Sequence, residues 1–201
     1  KALKADVKQY TRYASLLTPM IKARASESAN SISYKALQVH GGVGYTKDFD
    51  VERYVRDARI TNIYEGTTQL QVVAAIGGVM TGAAGELLDE YEKDRDFEAV
   101  SDLADKARAL RNCLEQGVEL VKAEHDHVFQ EFHAARLVEM ATDALMGFLL
   151  CRDSLQSERK RTVAQVFLQG ATLRTQANLA CIQSRDRTLL EGHKAILNHV
   201  Q

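Results

Sequence analysis

The chain has 201 residues, 45% hydrophobic and 26% charged, with a formal net charge of −1. That is enough for one domain or two small ones, in the balance of an ordinary globular protein. The near-neutral charge, without a long run of one sign, excludes the basic footprint of a nucleic-acid binder; no apolar run approaches a membrane span and no signal peptide is visible. One Pro, no Trp and few alternating β-branched runs predict an all-α protein. Cys113, Cys151 and Cys181 are far apart and form no CxxC pair, which reads as reduced, mostly core thiols in an intracellular protein.

In chain order, residues 1–18 are expected to be partly helical, with Leu3, Val7, Tyr10 and Ala14 on one face. Thr18-Pro19 predicts a helix opening, with proline at the first helical position. Residues 20–39 then form a helix rich in small residues, such as Ala23, Ser26, Ala29 and Ser33, that admits a close neighbour.

The densest signal lies in residues 38–71. Gly41, Gly42 and Gly44 let the chain turn sharply or meet a ligand closely, because they lack a Cβ; a plain helix C-cap is the competing reading for Gly41. Asp50 is a candidate N-cap for a helix over 51–60, with Glu52 in its first turn. Glu52 with Arg56, and Arg53 with Asp57, are spaced i,i+4 for surface ion pairs. Thr67 can cap a further helix. Glu65 stands just before that cap, next to Ile63 and Tyr64. Such a carboxylate is either a solvated loop residue or a general base whose pKa is raised by desolvation.

Residues 70–80 predict an apolar helix, and 77–85, rich in glycine, the best candidate boundary. A charged segment, 86–98, links to three amphipathic stretches at about 98–124, 127–155 and 158–185 and a final short one at 189–200. The first carries a stripe of Leu103, Ala107, Leu110, Leu114, Val118 and Val121. The second carries Phe129, Phe132, Leu137, Met140, Leu145, Phe148 and Leu149. The third carries Val163, Val166, Phe167, Leu173, Leu179 and Ile182. The stripes predict the core of a second helical bundle. Glu124-His125-Asp126-His127, with Glu131 and His133, could ligate a metal but lacks HExxH order, so a polar interhelix turn is favoured and no metal is expected. Arg152, Arg159, Lys160 and Arg161 are interleaved with Asp153 and Glu158 and read as a solvated helix junction.

Gln38-Val39-His40-Gly41-Gly42-Val43-Gly44-Tyr45, Val51-Glu52-Arg53, Arg56-Asp57-Ala58 and Ile63-Tyr64-Glu65-Gly66-Thr67 with Gln69 and Gln71 together resemble the C-terminal part of acyl-CoA dehydrogenases. The resemblance implies an all-α fold: the end of that family's helical bundle over 1–80, then a C-terminal helical extension domain over 81–201, seen in only some members. It implies FAD as cofactor and α,β-desaturation of an acyl-CoA thioester, in fatty-acid β-oxidation. Glu65 matches the base that removes the pro-R α-proton while the β-hydrogen leaves as hydride to flavin N5. The backbone N–H of that glutamate and a flavin ribityl hydroxyl would hold the thioester carbonyl. Tyr64 and Gly66 would face substrate. Thr67 and Gln69 match contacts to FAD of the same subunit. Gln38, Gly41 and Gly42 match a turn that meets a neighbouring subunit's FAD, which implies a homo-oligomer, dimer or tetramer. Electron-transfer flavoprotein or a similar acceptor would take the electrons. Asp50 stands where many members have Pro, Val72 where many have Arg, and His40 where an apolar residue is common; for His40 a core or turn histidine is favoured over a flavin contact.

The chain begins with Lys inside the family's pattern and so reads as a fragment, inactive without the upstream flavin-bearing domain. Its expected location is intracellular: cytoplasm in a bacterium, mitochondrial matrix in a eukaryote. Membrane contact by the extension is possible but has no support in the sequence, and the basic residues around Arg152 and Arg159–Arg161 could alternatively meet CoA phosphates or a membrane surface. The alternative is a non-catalytic helical assembly or docking module that keeps the family motifs.

Overall fold

A computed structural model of the chain describes residues 2–93 and 95–197, without the side chains of residues 2, 3, 95 and 96. The expected face position of Leu3 and the expected helical residues 198–200 lie outside these. The described residues form helices and connecting turns, with no strand among them, so the all-α expectation holds. They divide into two compact units, Lys1–Ala83 and Ala84–Gln201. No single helix among them is long and apolar enough to cross a membrane.

The first unit is built on one long helix. α1 spans Ala2–His40 and is followed by α2 (Gly42–Tyr45), α3 (Val51–Thr61) and α4 (Thr68–Met80). The helix start expected at Thr18-Pro19 is corrected, because Pro19 lies inside α1. A proline inside a helix costs about 3 kcal/mol. Tyr13, Leu16 and Met20 on either side of it are buried, each contributing on the order of 2 kcal/mol, so one continuous buried stripe outweighs the break. The stripe continues with Ala23, Ser26 and Ser33 at spacings of three, four or seven residues. The small residues admit α3 and α4, as expected for this stretch. A Cβ at Gly78 would stand 2.9 Å from Leu16 Cδ1, so α4 meets α1 at backbone-to-side-chain contact. Asn30 Nδ2 donates to Ala58 O at 2.9 Å and ties α3 to α1. α3 begins after Asp50, but that side chain makes no capping hydrogen bond. The Glu52–Arg56 pair forms at 2.7 Å.

The second unit holds α5 (Ala83–Glu92), which starts at the last residue of the first unit. A 3₁₀ segment (Arg95–Val100) follows, then α6 (Ser101–Ala123), α7 (His127–Ser154), α8 (Glu158–Gln183) and α9 (Thr188–Leu197). α6, α7 and α8 pack on one another. A Cβ at Gly147 of α7 would stand 3.2 Å from Leu168 Cδ2 of α8 and 3.3 Å from Ala107 Cβ of α6, so the three helices converge there. Arg111 of α6 pairs with Asp89 of α5 at 2.7 Å, with Glu115 at 2.7 Å, and with Glu92. Buried Phe97 packs on Phe148, ring centroids 5.7 Å apart, and docks the 3₁₀ segment.

The stripe expected on α6 is buried apart from half-buried Val118, and on α7 only Phe132 and Leu149 depart from it. The α8 stripe is corrected in part, with Leu179 and Ile182 buried as expected. Its buried face is Ala164, Leu168, Ala171, Thr175, Leu179 and Ile182, while Val163, Val166 and Leu173 are exposed. Two alanines at the contact allow tighter helix approach than valines would. The thiols are corrected in part: Cys151 is buried, Cys113 half-buried and Cys181 exposed.

Candidate active site

α3 ends at Thr61, and residues 62–66 turn before Thr67 caps α4. The Thr67 side chain accepts from Leu70 N at 3.5 Å, as its position predicts. Within the turn, Glu65 has φ 53° and Gly66 φ 93°. Two successive left-handed residues reverse the chain in one step. For glycine this is easy, whereas for an L-residue with a Cβ it costs on the order of 1 kcal/mol. Strain of that kind persists only where surrounding contacts hold it.

Those contacts come from two sides. From α1, Lys22 Nζ donates to Thr61 O at 2.5 Å, Tyr64 O at 3.0 Å and Gly66 O at 3.2 Å, and it lies 5.2 Å from the centre of the Tyr64 ring. From α4, Gln71 Nε2 donates to Glu65 O at 3.0 Å and Gly66 O at 3.3 Å. One turn further along α1, Glu27 accepts from Asn62 Nδ2 at 3.0 Å and Thr68 Oγ1 at 2.5 Å. The Glu65 turn is therefore fastened by its backbone while its carboxylate remains exposed. Tyr64 and Ile63 are 49% and 44% exposed. The apolar surround pictured for a general base is thus not made by these two neighbours.

Gly66 is half-buried, and Thr67 and Gln69 are exposed on the first turn of α4. Gln38, Gly41 and Gly42 are exposed where α1 ends. Gln38 lies eleven residues beyond Glu27 on α1, roughly 16 Å along the axis. The two groups of residues therefore occupy separate stations on one helix rather than one cleft. A Cβ at Gly41 or Gly42 would meet nothing within 4 Å, so this turn offers bare backbone to a large neighbour. His40 is exposed; its Nδ1 is 2.8 Å from Ala36 O and its ring packs on Phe49 at 5.4 Å, as befits a turn histidine.

In the second unit, the acidic and histidine-rich turn serves helix ends. Asp126 accepts from Val128 N at 2.8 Å to cap α7 and pairs with Arg187; Glu124 pairs with Arg185 at 2.8 Å. Among the described residues no group of three or more His, Cys, Asp or Glu is arranged to hold a metal ion. The basic junction is paired too, Lys160 with Asp153 at 3.2 Å and Arg161 with Asp102 at 2.8 Å. His133 is 1% exposed, wedged between Phe129 and Phe132, and neither ring nitrogen has a hydrogen-bond partner. Burial, followed by the Arg136 charge, pushes its pKa down to about 4.

The sequence reading missed Lys22, Glu27 and Asn30. Their partners are backbone carbonyls and side chains 28 to 44 residues away, and spacing along one helix carries no mark of that. The only hint is that these polar residues sit among small ones on α1.

Comparison with known proteins adds three findings. The family profile "Acyl-CoA dehydrogenase, C-terminal domain" matches residues 2–90, and "Acyl-CoA dehydrogenase C terminal" matches residues 80–187. The mitochondrial short-chain specific acyl-CoA dehydrogenase of Bos taurus is 44% identical over 78 residues, 39% of this chain and 18% of that protein. An acryloyl-CoA reductase (NADH) of Anaerotignum propionicum is 51% identical over 61 residues, 30% of this chain and 16% of that protein. The CarC subunit of a caffeyl-CoA reductase–Etf complex of Acetobacterium woodii is 52% identical over 58 residues, 29% of this chain and 15% of that protein. The chain thus spans less than a fifth of these relatives' length. In fold, it is similar to an acyl-CoA dehydrogenase of Bacillus anthracis solved with FAD, with a TM-score of 0.62 and 19% identity over 82% of this chain and 32% of that one.

Proposed function

The chain belongs to the acyl-CoA dehydrogenase family, and we propose that it forms the C-terminal part of an FAD-dependent enzyme that desaturates an acyl-CoA thioester, with Glu65 as the base. One observation carries this reading: an exposed carboxylate on a left-handed residue whose turn is held by Lys22 and Gln71. A solvated loop residue has no need of such fastening.

An α-C–H beside a thioester is a weak acid, and its proton leaves only if the charge arriving on the carbonyl oxygen is stabilised as it forms. Glu65 would accept the proton on a carboxylate oxygen, and its own backbone N–H would face the carbonyl. Gly66, without a side chain, would let the thioester approach the backbone, with Tyr64 beside it. Closing substrate over the exposed carboxylate would exclude water from the site of proton transfer. The chemistry that bound FAD supplies is acceptance of the β-hydrogen as a hydride. Thr67 and Gln69 would contact the FAD of their own subunit. Gln38, Gly41 and Gly42, at the other station on α1, would contact that of a neighbour in a dimer or tetramer. The open space at both glycines and the exposure of Gln38, Gly41 and Gly42 fit such a cofactor.

Ile21, Ile32, Val39, Leu70 and Val73 are at least 59% exposed, which supports further protein and cofactor surface covering this unit. On that view the 201 residues alone do not turn over acyl-CoA. The relatives include dehydrogenases and reductases of CoA esters; the direction proposed is oxidation, as in fatty-acid β-oxidation. The relative named as part of an Etf complex supports electron-transfer flavoprotein or a similar acceptor. The location proposed is intracellular, the mitochondrial matrix in a eukaryote.

The test uses the full-length, flavin-loaded protein, wild type and Glu65→Gln, titrated anaerobically with acyl-CoAs of several chain lengths. Wild type is expected to bleach with one chain-length class. Glu65→Gln is expected to stay yellow, bleaching at least about 100-fold slower. Equal bleaching would remove Glu65 as base. A wild type without flavin would favour the helical docking module instead.

A further inference from the structure

A lysine ammonium carries three N–H donors and no acceptor. Lys22 spends all three on one turn, through the carbonyls of Thr61, Tyr64 and Gly66. Carbonyl oxygens that converge on one point repel one another, and a cationic donor between them offsets that repulsion most strongly. The spacing 61, 64, 66 is not that of a continuing helix. It belongs to the reversal that carries Glu65 at φ 53°. The Tyr64 ring shields the half-buried ammonium on one side.

We propose that Lys22 is a positioning residue for proton abstraction: by gathering these three carbonyls it fixes the backbone of the turn, and so the place from which the Glu65 carboxylate acts. This rests on Glu65 being the base. Glu27 and Gln71 fasten the ends of the same segment, but neither reaches the three carbonyls together. Arginine cannot replace Lys22, because a planar guanidinium spreads its donors in a fork rather than pointing them from one atom.

The test measures flavin bleaching per bound FAD in the full-length enzyme at saturating acyl-CoA, together with acyl-CoA affinity, for wild type, Lys22→Met, Lys22→Arg and Glu65→Gln. A misplacement of about 1 Å costs on the order of 100-fold in rate. Both Lys22 variants are therefore expected to bleach about 10- to 100-fold slower, with FAD content retained and affinity within about threefold, the signature of an interaction that matters in the transition state. Arginine is expected not to rescue. Bleaching per bound flavin within about twofold of wild type in either variant would overturn the proposal, even if thermal stability fell. If Lys22→Met does not assemble with FAD, Lys22→Gln, which keeps two N–H donors one bond nearer the backbone, takes its place; failure of both would make Lys22 a folding residue and overturn the proposal as well. Glu65→Gln separates the two ideas. If it bleaches like wild type, the base assignment has failed. If it is dead while Lys22→Met bleaches normally, only the role of Lys22 has failed.

Discussion

Acidification should destabilise the second unit through one side chain. His133 is 1% exposed, its ring nitrogens unpartnered between Phe129 and Phe132, and its pKa is pushed down to about 4 from an ordinary 6.5 or so in the unfolded chain. The native state therefore holds this ring neutral, while the unfolded state binds a proton as soon as pH drops below about 6.5. Stability is complete above the unfolded pKa and is lost as pH falls toward the folded one. Linkage puts the loss at about 2 kcal/mol by pH 5 and about 3 kcal/mol below pH 4. Urea unfolding of the chain, followed by circular dichroism at pH 7, 6 and 5, measures it against His133→Leu, whose volume is similar and which cannot titrate. Carboxylates contribute equally to both proteins, so the difference between their pH slopes isolates His133. Wild type should lose about 2 kcal/mol more than the variant between pH 7 and 5. Parallel slopes would mean that the native ring is protonated or solvated, and the account of a dry, unpartnered histidine would be wrong.

Three further outcomes concern the same unit. Gly147→Ala brings a methyl within 3.3 Å of Ala107 Cβ, which cannot retreat without its backbone; overpacking of about 1–3 kcal/mol should exceed the helix-propensity gain of about 1 kcal/mol. Gly85→Ala on α5 meets nothing within 4 Å and should be neutral or stabilising by up to about 1 kcal/mol, both read from urea midpoints. A thiol reagent on the native chain should label exposed Cys181 first and half-buried Cys113 more slowly. Cys151 should react only on unfolding, since burial, then the Asp102 charge, pushes its thiol up to about 11.

What could be read in the sequence was local. The cap at Thr67, the start of α3 after Asp50 and the three long helices of the second unit are written in neighbouring residues. Pro19 misled because its usual meaning is local, whereas the buried stripe through Tyr13, Leu16 and Met20 decides the outcome from the far side of α1. On α8 both faces carry apolar residues, so periodicity grouped Val163, Val166 and Leu173 with Leu179 and Ile182 and passed over Ala164, Leu168 and Ala171; packing decided. At the candidate site, Glu65, Gly66 and Thr67 stood out by their motif. The grip of Lys22 did not, because its partners are carbonyls, which every residue possesses.

The two stations on α1 are joined by residues 28–37, a stretch in which Ser31, Ile32, Tyr34 and Lys35 are all exposed. A helix advances about 1.5 Å and rotates about 100° with each residue. Deleting one residue there would swing the Gln38–Gly42 turn about a quarter of the way around the rod relative to the Lys22 grip, and would turn Ser33 off the buried stripe as well. Substitutions at exposed Ser31 and Lys35 should therefore be absorbed easily, and changes in the length of the spacer hardly at all.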